Sequence, residues 1–296
     1  MRMIWASGGV NSEWSSLQAV VLHRPGLEFR AIKDPRQVQH LGLVSLSRMK
    51  KEYFRIRAVY LRLGIQVIEL NPSMLPRGLR QVSPNLVFTR DLFLGTPGGV
   101  VIARMASEIR AGEEKFAAAT LAAEGVPILA TIQGHGLFEG ADALWLRPRV
   151  LLIGVGARTN PEAFKQIRSL LKGVECVPVE VPQGVQHLLG ILQFVDHNLA
   201  CVRVEKASKA LLRVLKAYRV RIIPVSETEE VQIRQGMNFV TVKPRTVVMA
   251  SGCPDLRSLY RQAGIKIAAE VDVSQYCRAA GGLACATGIL SRRLIE

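Results

Sequence analysis

The stretch "YLRLGIQVIEL" (residues 60–70) holds the end of one element and the start of another. Gly64 stands where a helix would stop, because a residue without Cβ takes positive φ at no steric cost. Behind it, Ile65, Val67 and Ile68 form the β-branched run of a buried strand. The same junction recurs as "LAAEGVPILATI" (121–132), "LLKGVECVPVEV" (170–181) and "LYRQAGIKIAAEVDV" (259–273). A fifth copy, "LLRVLKAYRVRIIPV" (211–225), keeps the pattern without the glycine.

Each junction is followed by a polar turn and a hairpin-like pair of strands. These are "NLVFTRDLFLGTPGGVVIARM" (85–105), "ADALWLRPRVLLIGVG" (141–156), "LQFVDHNLACVRVE" (192–205) and "MNFVTVKPRTVVMAS" (237–251). Their turns, at Pro97-Gly98-Gly99, Arg147-Pro148-Arg149, Asp196-His197-Asn198 and Lys243-Pro244-Arg245, carry suitable loop residues. The last unit has one strand left, "GLACATGIL" (282–290), whose missing partner is "LQAVVLHRPG" (17–26). The expectation is an α/β fold with pseudo-fivefold βαββ-type repeats of roughly 45–60 residues. It would form a five-bladed propeller whose ring is closed by the N- and C-terminal strands, with residues 1–296 as a single domain. An open α/β sheet would show regular helix–strand alternation without the hairpins.

The chain has 296 residues, 49% hydrophobic and 21% charged, with Gly and Pro dispersed, which is a globular rather than a disordered composition. The longest apolar run, "VLLIGVGA" (150–157), is about half of what a bilayer span requires. The opening "MRMIWASGG" lacks the long apolar core of a signal peptide, so a soluble cytoplasmic protein is expected. Five cysteines without regular spacing or a CxxC pair argue against a disulfide framework and a zinc site. A net charge of +15 suggests nucleic acid or anionic lipid as a partner. The basic residues, however, gather on two helix-like stretches, 47–64 and 202–221, where they alternate with Leu, Val and Tyr. That is the pattern of solvated outer faces, and aromatics at 6% leave few stacking platforms, so nucleic acid is not the expected partner.

The chemistry-bearing residues fall at one level of the repeat, just before or at the start of each hairpin. The first unit offers Asn85, Arg90 and Asp91; the second Glu139 and Asp142; the third His187; the fourth Asn238; the fifth Cys285. A thiolate is a strong nucleophile, stabilised by a neighbouring imidazolium or by a cationic substrate. His187 can protonate a leaving amine and then deprotonate water. Buried carboxylates call for a cation, and a planar guanidinium matches paired carboxylates through several N–H bonds.

The segments "NLVFTRD", "FEGAD", "GARTN" (156–160), "MNFV" and "GGLACATGIL", with "LQAVVLHRPGLE" (17–28), resemble the guanidino-modifying enzymes of the pentein superfamily. Its members include arginine deiminase, dimethylarginine dimethylaminohydrolase and the amidinotransferases. The resemblance covers nearly the whole chain. It implies a propeller without metal or organic cofactor, and attack by a cysteine on the guanidinium carbon to give a covalent thiouronium. Position by position, it implies Cys285 as nucleophile, His187 as general acid/base, and Glu139 as the carboxylate that orients His187 or grips the guanidinium. Asp91 and Asp142 would face the substrate, with Asp91 on the guanidinium nitrogens. Arg158 and Arg110 would take the substrate's α-carboxylate, and Asn85 stands where the dimethylarginine hydrolases carry Asp. Leu189 stands where deiminases and amidinotransferases carry an acid, two residues beyond the histidine. The leading expectation is a hydrolase of an arginine-like guanidino compound, with a homodimer compatible. An amidinotransferase shares the same first half-reaction. A non-enzymatic propeller bound to RNA or the ribosome is the alternative of a different class.

Overall fold

The computed structural model describes residues 9–296, so all but the last residue of the opening "MRMIWASGG" lies outside the described residues. Strand β1 (Leu17–Leu22) leads through helix α1 (Leu46–Arg62) to β2 (Gln66–Glu69), which pairs parallel with it. A hairpin of β3 (Phe93–Thr96) and β4 (Gly99–Ile102) is followed by α2 (Glu114–Ala123) and by β5 (Ile128–Thr131), parallel to β4. The plan repeats in β6 (Ala143–Arg147), β7 (Val150–Val155), α3 (Pro161–Leu170) and β8 (Glu175–Glu180). It repeats again in β9 (Leu192–Asp196), β10 (Leu199–Val202), α4 (Lys209–Ala217) and β11 (Arg221–Pro224). After a short helix α5 (Glu229–Gln232) come β12 (Val240–Lys243), β13 (Thr246–Ala250), α6 (Pro254–Gln262) and β14 (Lys266–Val271). A last short helix, α7 (Ser274–Arg278), precedes β15 (Gly288–Arg292), which pairs antiparallel with β1. The described residues thus form five three-stranded sheets, one of them made from both ends of the chain. Strand β15 contacts β3, β1 contacts β12, and β12 contacts β9, while the turns ahead of β3, β6 and β9 touch in sequence.

Two strand expectations are corrected. The strands behind the glycine junctions complete the sheet of the preceding hairpin, and they are its outer members. β3, β4, β9 and β10 are buried throughout, whereas three of the four residues of β5 are exposed. The hairpin strands are thus the buried members of each sheet, and the helix leads the chain to the more exposed third strand. Strand β15 also begins at Gly288 rather than at Gly282. Residues 282–287 are wound into turns instead, with Ala286 N donating to Gly282 O (3.1 Å) and Thr287 Oγ1 to Leu283 O (2.8 Å).

The helix stops follow the sequence closely. Gly64, Gly125, Gly173 and Gly264 all have φ between 74° and 79°. In the glycine-less copy Arg219 takes the same left-handed position, at φ 56°. A side chain there costs about 1–2 kcal/mol, part of which glycine's freedom in the unfolded chain would cancel. Arg219 is exposed, so Arg219→Gly is expected to raise stability by about 0.5–1 kcal/mol in denaturant titrations.

Helix α1 buries Met49, Tyr53, Ile56, Val59 and Tyr60 at helical spacing and exposes Arg48, Lys51, Arg55 and Arg62. In the second basic stretch only Lys209–Ala217 is helical, since Val202 still belongs to β10. Its Lys209, Arg213 and Lys216 point to solvent, while Leu211 and Leu215 are buried. Among the described residues no helix is long and apolar enough to cross a membrane.

Candidate active site

Short 3₁₀ turns lie directly ahead of the hairpins, at Thr89–Asp91, Gly140–Asp142 and Leu188–Gly190, and they present the polar side chains. Thr89 Oγ1 donates to Val21 O (2.7 Å) and Ala286 O (3.0 Å) and accepts from Gly288 N (2.8 Å). Arg90 N donates to Cys285 O (3.1 Å). The turn that carries Asp91 is therefore bonded to the loop that carries Cys285. Gly140 lets the second turn approach the first, because a Cβ there would overlap Phe93 O and Arg90 O.

The Gly281-Gly282 pair ahead of Cys285 has a packing reason. A Cβ on Gly281 would strike the Phe88 ring, and one on Gly282 would lie 2.7 Å from Asn238 Oδ1. The space instead admits the Asn238 amide. Its Oδ1 accepts from Ala284 N (2.7 Å) and Cys285 N (3.2 Å), and its Nδ2 donates to Cys285 Sγ (3.1 Å). Asn238 thus fixes both the backbone and the sulfur of a half-buried cysteine. Burial and the negative charge of Asp91 push the Cys285 thiol up, against smaller lowering effects from Asn238 and Arg110. All five cysteines are free thiols.

One small cavity of about 30 Å³ is lined by Cys285, His187, Asp91, Asn85, Arg110 and Arg158, together with Phe88 and Gln39. His187 Nε2 lies 2.6 Å from Glu139 Oε2 and 4.0 Å from Asp91 Oδ1. Burial alone would depress His187, but Asp91, Glu139 and Asp142 outweigh it and hold the imidazole above its usual range. Burial would likewise raise Glu139; its bond to His187, with Arg110 and Arg158 nearby, holds it well below the usual carboxylate range. Glu139 Oε1 also accepts from Ala106 N (3.2 Å) and Arg158 Nη1 (3.3 Å).

The other residues singled out in the sequence are placed as follows. Arg90 turns away from the cavity and pairs with Glu13 (3.1 Å), both buried, because successive side chains of a tight turn diverge. Asp142 is buried behind His187, where its oxygens accept from Thr159 Oγ1 (2.7 Å) and Leu188 N (2.9 Å). Burial pushes its carboxyl up to about 6 despite those bonds and the nearby His187. It braces the turn after His187 and does not line the cavity. Asn85 holds residues 38–40, of which Gln39 lines the cavity: its Nδ2 donates to Val38 O (2.9 Å), and its Oδ1 lies 3.0 Å from His40 Nε2. Arg158 Nη2 donates to Gln39 Oε1 (3.3 Å) in the same segment. Arg110 lies among acids, with Nη1 2.6 Å from Asp91 Oδ2 and Nη2 2.8 Å from Glu113 Oε2. Leu189 is buried and off the cavity lining. Gln39 and Glu113 went unmarked in the sequence. A lone Gln in a long loop and an acid in "RAGEE" give no signal before the chain is folded.

Asp91, Glu139 and His187 also form the group that could hold a metal ion, their ligating atoms lying within 4.8 Å of one another. The charge they need is already supplied from inside, by the Arg110 guanidinium and by an imidazole held toward its protonated form, which does not ligate metal. A set of one thiol, one imidazole and buried acids suits nucleophilic attack on a planar cation.

The family model described as "Arginine deiminase" matches residues 78–203 and 191–292, most of the chain. Among curated proteins, the chain is 23% identical over 285 residues to the uncharacterized protein YkgA of Bacillus subtilis, covering 95% of this chain and 94% of that one. It is 25% identical over 256 residues to arginine deiminase 1 of Staphylococcus epidermidis, covering 71% of this chain but 62% of the deiminase. Among solved structures, the N-terminal domain of ArgZ, a cyanobacterial arginine dihydrolase bound to its product, superposes with a TM-score of 0.79 at 19% identity (95% and 100% covered). The dimethylarginine dimethylaminohydrolase of Pseudomonas aeruginosa in complex with citrulline gives 0.72 at 21% identity (92% and 99%). SxtG, an amidinotransferase from Microseira wollei, gives 0.72 at 15% (97% and 98%). At these identities the structural likeness establishes the α/β fold of repeated small sheets. Taken with the family match, it establishes that the chain belongs to the arginine deiminase family, within the pentein superfamily of guanidino-modifying enzymes.

Proposed function

We propose that the protein is a cysteine-dependent hydrolase of an arginine-like guanidino compound, and that its five sheets are the blades of a closed propeller with the site at its mouth. The observation that carries this reading is the shared lining of one cavity by Cys285, His187 and Asp91, with Asp91 Oδ1 buried and without a hydrogen-bond partner. A buried acceptor without a donor costs about 1–3 kcal/mol, so it favours a ligand that brings N–H groups and positive charge. A guanidinium seated on Asp91 supplies both. Its charge offsets the acid that holds the Cys285 thiol protonated, and the thiolate forms as the substrate arrives.

Sulfur then bonds to the guanidinium carbon. As the C–N bond breaks, His187 gives its proton to the leaving nitrogen, and a thiouronium remains on Cys285. His187 next takes a proton from water, oxygen bonds to the same carbon, and the C–S bond breaks to release a ureido product and the thiol. Glu139 keeps the imidazolium stable and oriented. Asn238 holds the sulfur in line, and Asp142 braces the turn behind His187. Arg158, half-buried at the mouth on two long hydrogen bonds, is the cation available to an anionic end of the substrate, and Asn85 sets the segment that closes over it. With Leu189 in the core, Asp91 is the acid left to grip the guanidinium.

Incubation with arginine and a panel of substituted guanidines tests the reading. A ureido product and a released amine or ammonia, formed without any added acceptor, are the expected result. Product formed only when a primary amine is supplied would reassign the protein as an amidinotransferase, the activity that SxtG is named for. No reaction, and no covalent adduct, with any guanidine would refute both.

A further inference from the structure

Helix α7 has five residues and opens on Val273, which has no polar side chain to cap it. A helix of that length does not hold by itself, so it keeps its place through its partners. The missing acceptor comes from α1. Glu52 Oε1 accepts from Ser274 Oγ (2.9 Å) and Gln275 N (3.0 Å), and Oε2 shares Gln275 N at 3.0 Å. The favour is returned: Gln275 Oε1 accepts from Ser45 N (2.8 Å) at the start of α1, where the Ser45 hydroxyl makes no cap bond of its own. The two helices thus cap each other's first turns through side chains that are 2% and 4% exposed. Among the described residues no cation pairs with Glu52, and burial pushes its carboxyl up to about 7.

Two parts of the cavity wall depend on α7. Its last carbonyl, Arg278 O, accepts from Leu41 N (2.8 Å) and Gly42 N (3.0 Å), next to the cavity-lining Gln39. Beyond its C-terminus, Ala279 N, Ala280 N and Gly281 N donate back to Gln275 O (3.1 Å), Cys277 O (3.0 Å) and Tyr276 O (3.0 Å). Those three residues line the cavity beside Cys285, whereas Glu52 does not touch it.

We infer that Glu52 is a positioning residue: by capping α7 it sets the cavity wall made by residues 279–281 and Gln39, and with it the affinity for substrate, from outside the cavity. The inference rests on the guanidino reading above. A lost cap frees the first turn of α7, and the looseness passes along its hydrogen bonds to both parts of the wall.

The test sets Glu52→Ala against Glu230→Ala, assayed above neutral pH, where the Glu52 carboxylate is ionised. Glu230 is also a buried cap: it accepts from Asp255 N (3.0 Å) and Leu256 N (2.9 Å) of α6, a helix that contributes nothing to the cavity lining. Both variants lose stability. Glu52→Ala alone is expected to raise KM on the order of tenfold, the scale of a lost helix cap, with kcat within about threefold of wild type. Glu52→Gln should return most of the loss, because its amide oxygen accepts from Gln275 N while the Ser274 hydroxyl turns to accept from the amide nitrogen. If Glu52→Ala does not fold, Gln275→Ala removes the opposite half of the pair and should raise KM in the same direction. A KM unchanged in every variant of the pair that folds, or raised equally by Glu230→Ala, overturns the inference.

Hydrogen exchange supplies a readout without substrate. Amide protection of residues 41–42 and 279–281 should fall in Glu52→Ala, or in Gln275→Ala where that variant replaces it, and hold in Glu230→Ala; protection that holds in all of them overturns the inference as well. If no guanidine reacts with the parent protein, the guanidino reading fails, and exchange alone decides whether Glu52 positions the wall.

Discussion

Cys285→Ser is expected to fold normally and to lose turnover by a factor on the order of 10⁴ or more, the scale reached when a covalent nucleophile is removed. The fold survives because serine is nearly isosteric and its hydroxyl can still accept from Asn238 Nδ2, as Sγ does at 3.1 Å. Stability should stay within about 1 kcal/mol. The chemistry fails for an electrostatic reason. In the resting site, burial and Asp91 hold the thiol protonated, and a guanidinium on Asp91 reverses that balance. A shift of a few pKa units ionises a thiol but leaves a hydroxyl protonated. Steady-state rates together with intact-protein mass check both halves. The wild-type protein should gain the mass of a thiouronium during turnover and the serine variant should not. Residual activity within tenfold of wild type would remove Cys285 from the mechanism.

The parts of this arrangement that were legible in the sequence are those set by local chemistry. A left-handed helix stop demands glycine, so Gly64, Gly125, Gly173 and Gly264 marked the repeat, and even Arg219, in the copy without one, takes the same conformation. Because the repeat fixes where each hairpin begins, it also indicated that Asn85, Asp91, His187 and Cys285 would meet, and all four line one cavity. What was not legible depends on contacts between distant segments. Arg90 and Asp91 are neighbours in sequence, yet one faces Glu13 and the other the cavity, a divergence set by the turn and by an N-terminal acid. Asp142 has the same sequence credentials as Glu139 but is taken up by Thr159 and the backbone of Leu188. The glycines before Cys285 make room for Phe88 and Asn238, partners that lie in distant segments of the chain. The strand drawn across Cys285 failed for a related reason: Asn238 binds the backbone N–H groups of residues 284 and 285 and curls that segment into turns.

His187 and Glu139 give the second large effect, and its sign follows from the burial of the pair. His187→Gln removes the proton that the leaving nitrogen needs and is expected to lower kcat by about 10²–10⁴, with any adduct that forms persisting because water is no longer deprotonated. Glu139→Gln is the finer experiment. The amide keeps a hydrogen-bonding partner beside His187 Nε2, now 2.6 Å away, but removes the charge. The imidazole is held above its ordinary value by three carboxylates working against burial. With one of them neutral, burial gains weight and the His187 pKa falls. Since the first half-reaction uses the protonated ring, activity is present below that pKa and lost as pH rises through it. The alkaline limb of the kcat profile should therefore move to lower pH in Glu139→Gln, by about one to two units, the usual effect of removing a close opposite charge. Asp142→Asn should move it the same way but less, because Asp142 bonds to Leu188 N and Thr159 rather than to the ring. A limb that stays in place in Glu139→Gln while His187→Gln is inactive would mean that the proton reaches the leaving group from another donor, and the pairing at 2.6 Å would then be structural only.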